Sequence, residues 1–297
     1  MSSIIVGIPC YSGASDLLLA CLQAVRDRSG NNIEYDLVVV DDSGNVEHQR
    51  KSKEVCDKFN ARWLCNDVNK GVAASWNVLS RSSDAPYIAL LNDDLIVAQG
   101  WLDALYYALH NNPQAGSFGL FAYFITMEDL PTLLSSPTAT VMPRDPFSKQ
   151  PAPEELQKHH GRENLGRVMC PTGCGFGFRR DVYEKTIGFD ETLGKCFHEE
   201  TDFGTQCAAL GYPSYCLQWP MNYHIWSATF GRSPELMVNR PMDYSRNRYV
   251  EKWGALPQAM HVPLMSKIPF QQLKWLDGDG VFRDEIITAE EGFYEEK

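Results

Sequence analysis

The sequence predicts an α/β fold built on a mostly parallel, Rossmann-like sheet with helices on both faces. Three observations carry that expectation. Short, continuous apolar runs recur in the first 100 or so residues, as they do in strands buried on both faces. Segments of helical character alternate with them, the pattern of consecutive strand–helix units. Clusters of acidic residues stand just past the ends of two of the runs, where open α/β sheets bind ligands.

The elements follow in order. Ile4–Ile8 reads as a buried strand, ended by Pro9. Ser15 or Asp16 caps a helix through Arg28. Leu37–Val40 is a second strand, running into Asp41-Asp42-Ser43-Gly44. A polar helix is expected over Glu47–Asn60, a short strand over Ala61–Cys65 and a helix over Gly71–Ser82. Tyr87–Leu91 is a fourth strand and ends at Asn92-Asp93-Asp94. Trp101–Asn111 is a helix with Pro113 beyond its end. Residues 129–166 are rich in Pro, Ser and Thr and read as a long loop over the site. Cys170–Arg180 is glycine-rich and strand-like, Asp181–Ile187 a short helix, Glu200–Leu210 a helix stopped by Gly211, and Tyr215–Trp219 a strand. Little regular pattern is legible in the last 45 or so residues.

The chain has 297 residues, 44% of them hydrophobic, enough for one large domain with an appendage. The formal charge, 27 − 38 = −11, and the lack of a dense basic run make nucleic acid an unexpected partner. No apolar stretch approaches the roughly 20 residues of a membrane span, and no export signal is legible, so the expected compartment is the cytoplasm. Nine scattered cysteines then read as reduced thiols.

Four segments carry candidate chemistry. Asn92-Asp93-Asp94 puts two carboxylates on a strand tip, which suits a divalent metal bridging a diphosphate, or a plain Asn/Asp turn. Asp41-Asp42 repeats the arrangement; one carboxylate can accept a nucleobase N–H or a ribose hydroxyl, or the pair simply forms a turn. Asn69-Lys70-Gly71 opens a helix whose N-terminus favours anions, with Lys70 as a point charge, although a bare loop-to-helix junction reads equally well. His198-Glu199-Glu200-Thr201-Asp202 clusters three acids, from which one can serve as a general base, or which form an acid-rich first helical turn.

The order and spacing of these segments resemble the family 2 glycosyltransferases of the GT-A fold, above all the rhamnosyltransferase-like and galactofuranosyltransferase-like members. Ile5-Val6-Gly7-Ile8-Pro9-Cys10-Tyr11 is similar to the family's first strand and its Pro-x-Tyr turn, and Val40-Asp41-Asp42-Ser43 to its nucleobase turn. Asn69 through Asn77 resembles its Asn-x-Gly helix entry, and Asn92-Asp93-Asp94 the Asn-x-Asp form of its Asp-x-Asp motif. Thr172-Gly173-Cys174-Gly175 is similar to the acceptor-side glycine segment, Gly188-Phe189-Asp190-Glu191 to the Gly-Phe-Asp-Glu turn, and Glu199-Glu200-x-Asp202 to the Glu-Asp-x-Asp acids, with Glu where Asp is usual. His224 suits the late metal-binding histidine, and Asn247 to Trp253-Gly254 the closing segment.

The resemblance implies an inverting, metal-dependent transfer from a nucleoside-diphosphate sugar, UDP favoured, to a glycan or other hydroxyl acceptor. It implies a catalytic domain over residues 1–254, with a nucleotide-binding half (1–112) and an acceptor half (113–254), and a C-terminal extension over 255–297. Pro9, Tyr11, Asp41, Asp42, Lys70, Gly71, Asn77, Asn92 and Asp93 would face the nucleotide sugar. Asp94 and His224 would hold Mn²⁺ or Mg²⁺. Glu200 would be the base, with Glu199 and Asp202 as the alternatives. Gly173, Gly175 and Trp226 would lie on the acceptor side. A nucleotidyltransferase is disfavoured, because Pro9-Cys10-Tyr11-Ser12-Gly13 stands where its basic, glycine-rich phosphate loop belongs. A non-catalytic sugar-binding member and a transferase acting on a DNA base are the other readings.

Overall fold

The computed structural model describes residues 2–11, 15–144, 165–225, 228, 241–276 and 281–286. Four parallel strands lie side by side in the order β3-β2-β1-β4: β1 (Ile4–Cys10), β2 (Tyr35–Asp41), β3 (Arg62–Cys65) and β4 (Tyr87–Leu91). Helices α1 (Ser15–Arg28), α2 (Val46–Lys58) and α3 (Val72–Arg81) connect them. Beyond β4 the sheet continues through β8 (Gly175–Arg179), β6 (Ser117–Ile125) and β9 (Ser214–Ile225). β8 runs antiparallel to both its neighbours, so β6 and β9 recover the direction of β4. Two short strands, β5 (Leu95–Ile96) and β7 (Leu165–Val168), pair antiparallel with opposite ends of β9. The sheet is therefore α/β and mostly parallel, as the sequence predicts.

Strand alternation sorts the core into two layers. Ile4, Val6 and Ile8 of β1, with Val39, Ala89 and Leu91, meet α1, α2 and α4 (Trp101–Asn111) on one face. Ile5, Val38, Val40, Ile88 and Leu90 meet α3, α6 (Arg180–Tyr183) and α7 (Glu199–Ala209) on the other. A side chain of this size, fully buried, stabilises the fold by about 1.5–3 kcal/mol, so a one-residue slip of a strand would lose both layers at once. Trp76 of α3 wedges edge-on between Phe176 and Phe189, at 5.2 and 5.0 Å between ring centres. That contact ties the helix beside the nucleotide corner to the second half of the chain.

The remaining helices are α5 (Leu130–Leu133), α8 (Pro241–Trp253) and α9 (Pro257–Met265), followed by a hairpin of β10 (Gln272–Leu276) and β11 (Phe282–Ile286). This order appears where the sequence shows little pattern. α9 is short and has Pro263 inside it, and β10 alternates on too few residues to stand out. Leu273 and Trp275 nonetheless reach the main core at 0% and 3% exposure, so β10 is packed against the body of the sheet. The strand over 117–125 likewise has no counterpart in the sequence reading. Of the expected loop over 129–166, residues 145–164 lie outside the described residues.

Candidate active site

β4 carries its acids to the C-terminal edge of the sheet, and the next few residues decide how they are used. After Asp94 the chain turns into β5, which pairs Leu95 with His224 and Ile96 with Tyr223. The Ile225 amide donates to the Asp94 carbonyl at 3.0 Å. These backbone bonds bring together two side chains 130 residues apart, with His224 Nε2 3.0 Å from Asp94 Oδ1. Burial disfavours a charged imidazole there, but the Asp94 carboxylate outweighs it and raises the His224 pKa. A carboxylate oxygen and an imidazole nitrogen are donor types that suit Mn²⁺ or Mg²⁺, and two such ligands would leave positions for phosphate oxygens and water. The Asn92 amide N–H is fixed on the Cys174 carbonyl at 2.8 Å, while its side chain makes no hydrogen bond among the described residues. Asp93 is buried beside it at 7% exposure. Burial, reinforced by the Asp93 charge, pushes the thiols of Cys10 and Cys21 up.

At the adjoining corner, Pro9 pairs with Val40 and Cys10 with Asp41, so Tyr11 follows the edge of β1 beside the second acidic tip. Both carboxylates of that tip are engaged by protein. Asp41, fully buried, accepts from the Ser43 amide at 2.8 Å and from the Ser52 hydroxyl. Asp42 accepts from Asn66 Nδ2 at 2.7 Å, the Lys70 amide at 2.8 Å and the Gly71 amide at 2.7 Å. Burial raises the Asp42 pKa in spite of these donors. The Asp42 carboxylate thus sits at the start of α3, and the Val72 amide is capped by the Lys195 carbonyl at 2.9 Å. Gly71 is required here. Its φ is +96°, and a Cβ would stand 2.7 Å from Lys195 Cα. The Lys70 side chain is exposed and has no ion pair among the described residues.

Asn77 departs from its expected nucleotide contact. Its Nδ2 donates to the Phe189 carbonyl and Glu191 Oε1, and its Oδ1 accepts from the Tyr183 hydroxyl and the Phe189 amide, at 2.8–3.0 Å. All four hydrogen-bonding positions are filled, so Asn77 locks the 188–191 turn onto α3.

The third corner separates the three acids. Asp202, fully buried, accepts from Trp253 Nε1 at 2.7 Å and Gln206 Nε2 at 2.7 Å and pairs with Lys252 at 2.8 Å. Its oxygens are therefore all engaged by protein donors. Glu199 is 3% exposed, and its Oε1 has no hydrogen-bond partner among the described residues. Glu200 lies over Gly173, where a Cβ would meet its carboxyl carbon at 3.1 Å and its oxygens at 3.3 and 3.4 Å. Burial raises both glutamate pKa values, and the Glu200 charge raises Glu199 further. Gly175 lies within the sheet. It pairs with Leu91 in the sheet, and a Cβ there would collide with Leu95 Cδ2 at 2.6 Å. Trp226 lies outside the described residues.

Burial raises the Cys174 pKa to about 12, and the charges of Asp94 and Glu200 act in the same direction. Lys195 was not legible in the sequence. It reaches the Asn69 carbonyl, and its charge acts on Asp42. Only its place after Gly194 in the fold reveals it.

Residues 5–187 match the description Glycosyl transferase family 2. A glucosyl-dolichyl phosphate glucuronosyltransferase of Haloferax volcanii is 25% identical over 169 residues, 54% of this chain and 47% of that protein. The chain thus spans about half the length of the curated relative it matches. Among solved structures, GalNAc-T7 with UDP, GalNAc and Mn²⁺ superposes with a TM-score of 0.62 at 15% identity, covering 85% of this chain and 48% of that one. The mannosyltransferase PcManGT from Pyrobaculum calidifontis, with GDP-Man and Mn²⁺, gives 0.58 at 12% identity, covering 90% and 69%. At those identities the likeness shows the fold, which is GT-A.

Proposed function

The chain belongs to glycosyl transferase family 2, and we propose that it transfers a sugar from a nucleoside-diphosphate donor to a hydroxyl acceptor, with inversion and with Mn²⁺ or Mg²⁺ at Asp94 and His224. The observation that carries this reading is the 3.0 Å approach of His224 to Asp94 at the strand edge. The solved neighbours hold UDP or GDP-Man with Mn²⁺, which supports a nucleotide donor and a divalent ion here. When bound, the ion neutralises charge that develops on the departing diphosphate.

The chain's own groups supply the rest. Glu200 takes the proton of the acceptor hydroxyl while that oxygen bonds to the anomeric carbon. The anomeric C–O bond to the diphosphate breaks on the opposite face, and the nucleoside diphosphate departs with the bonding pair. A base whose pKa is raised by burial retains proton affinity for this step near neutral pH. The free amide of Asn92 and the exposed Lys70 ammonium are the polar groups left to meet ribose or phosphate.

The test is a donor panel that includes UDP-, GDP- and dTDP-sugars, dTDP-rhamnose and UDP-galactofuranose among them, with saccharide acceptors and Mn²⁺. The product's anomeric configuration is read by NMR. A single donor giving the inverted glycoside is expected. A retained configuration would overturn the single displacement, and pyrophosphate release from a sugar phosphate and a nucleoside triphosphate would overturn the transferase.

A further inference from the structure

Helix α8 lies beyond the 5–187 match, yet it makes a row of polar contacts with the helix that carries Glu200. Ser245, Tyr249, Lys252 and Trp253 fall on one face at helical spacing. Ser245 Oγ is 2.9 Å from His198 Nδ1, and the Tyr249 hydroxyl is 2.7 Å from Thr205 Oγ1. Lys252 Nζ bridges Asp202 at 2.8 Å and Asp190 at 2.8 Å, and the Trp253 indole donates to Asp202 at 2.7 Å. Ser245, Tyr249 and Asp202 are all 0% exposed.

A buried ion pair is weak evidence for stability, since apolar packing of the same volume serves at least as well; its better-attested use is to fix one arrangement. One arrangement needs fixing here. Phe197 and His198 both hold positive φ, +75° and +67°, immediately before Glu199. Two successive side chains in the left-handed region persist only where their surroundings over-determine them. The contacts of α8 grip this turn at His198 on one side and Asp202 on the other, with Glu200 between them.

We propose that α8 is a positioning clamp, in which Lys252 and Trp253 hold Asp202, Ser245 holds His198, and Glu200 is thereby kept over Gly173. The catalytic consequence rests on the transferase reading above; the mechanical one does not. Asp202 is then a positioning residue, and removal of its cation frees the first turn of α7 without touching the donor corner.

The experiment uses the full chain as Lys252→Met, Lys252→Arg and Trp253→Phe, read by hydrogen exchange and by turnover. In Lys252→Met, amides 199–202 should exchange at least tenfold faster, while those of Ile4–Cys10 and Tyr87–Leu91 stay as in the parent. Lys252→Arg should restore protection to within about twofold. Trp253→Phe keeps the ring and loses the N–H, so it should give a smaller increase at the same amides, and it serves where Lys252→Met does not fold. With the donor found in the panel, Lys252→Met should lose kcat at least tenfold with the donor KM within about threefold, and Lys252→Arg should recover it. Unchanged exchange at 199–202, or an equal rise throughout the chain, would overturn the clamp. Local loosening with unchanged kcat would overturn its catalytic role. A parent protein that turns over no donor would instead sink the transferase reading, and the exchange data would still decide the clamp.

Discussion

Replacing Asp42 by alanine asks whether this carboxylate reads a nucleobase or holds the protein together. It accepts three hydrogen bonds, from Asn66 Nδ2, the Lys70 amide and the Gly71 amide, all at 2.7–2.8 Å and at 5% residue exposure. Truncation leaves three donors without their acceptor, at about 1–3 kcal/mol each. Relief of the buried charge offsets part of this, because burial already raises the Asp42 pKa. A net loss of about 3 kcal/mol is expected, which at about 2–4 °C per kcal/mol lowers Tm by roughly 6–12 °C. The assay is a thermal melt without ligand, with Lys70→Ala as the control. Lys70 is exposed and has no ion pair among the described residues, so its loss should leave Tm unchanged and weaken nucleotide binding. If Asp42→Ala melted with the parent and lost only nucleotide binding, the carboxylate would be a base reader and the loop argument would be wrong.

Three further outcomes follow from the acids. Glu200→Gln keeps the shape over Gly173 and removes the base, so kcat should fall about 10²–10⁴-fold with donor affinity retained; initial rates at saturating donor check it, and full turnover would exclude Glu200. The pH profile should show an acid limb above the ordinary carboxylate range, because burial raises the Glu200 pKa; initial rates measured across pH check it. Stability should also respond. Glu199 is raised above its unfolded value, so the folded state holds the extra proton, and its contribution is greatest below the unfolded pKa and lost as pH rises through the folded one. Urea midpoints should therefore fall between pH 5 and pH 8 in the parent and fall less in Glu199→Gln.

The strands that build the site were legible because each is a short apolar run ending in residues that cannot continue it, Pro9, Asp41-Asp42 and Asn92-Asp93-Asp94. The pairing of Asp94 with His224 was accessible only through the resemblance, since the register of β5 on β9 that joins them is a long-range fact. The protein partners of Asp42, Asn77 and Asp202 are not legible in the sequence, because polar side chains at a buried edge are satisfied by whatever the fold brings to them. Lys252 and Trp253, which complete Asp202, lie about 50 residues from it. No local pattern marks such a partner. The antiparallel insertion of β8 between β4 and β6 is hidden for the same reason, as strand direction is set by neighbours that the sequence does not name.

The central claim is that Asp94 and His224 form the metal corner of a nucleotide-sugar site. Calorimetry of UDP and GDP with and without Mn²⁺, on the parent, Asp94→Ala and His224→Ala, tests it most directly. Binding of one nucleotide should require Mn²⁺ in the parent and lose that requirement, with most of its affinity, in both variants. Metal-independent binding in the parent, or Mn²⁺-dependent binding that survives both substitutions, would contradict the assignment.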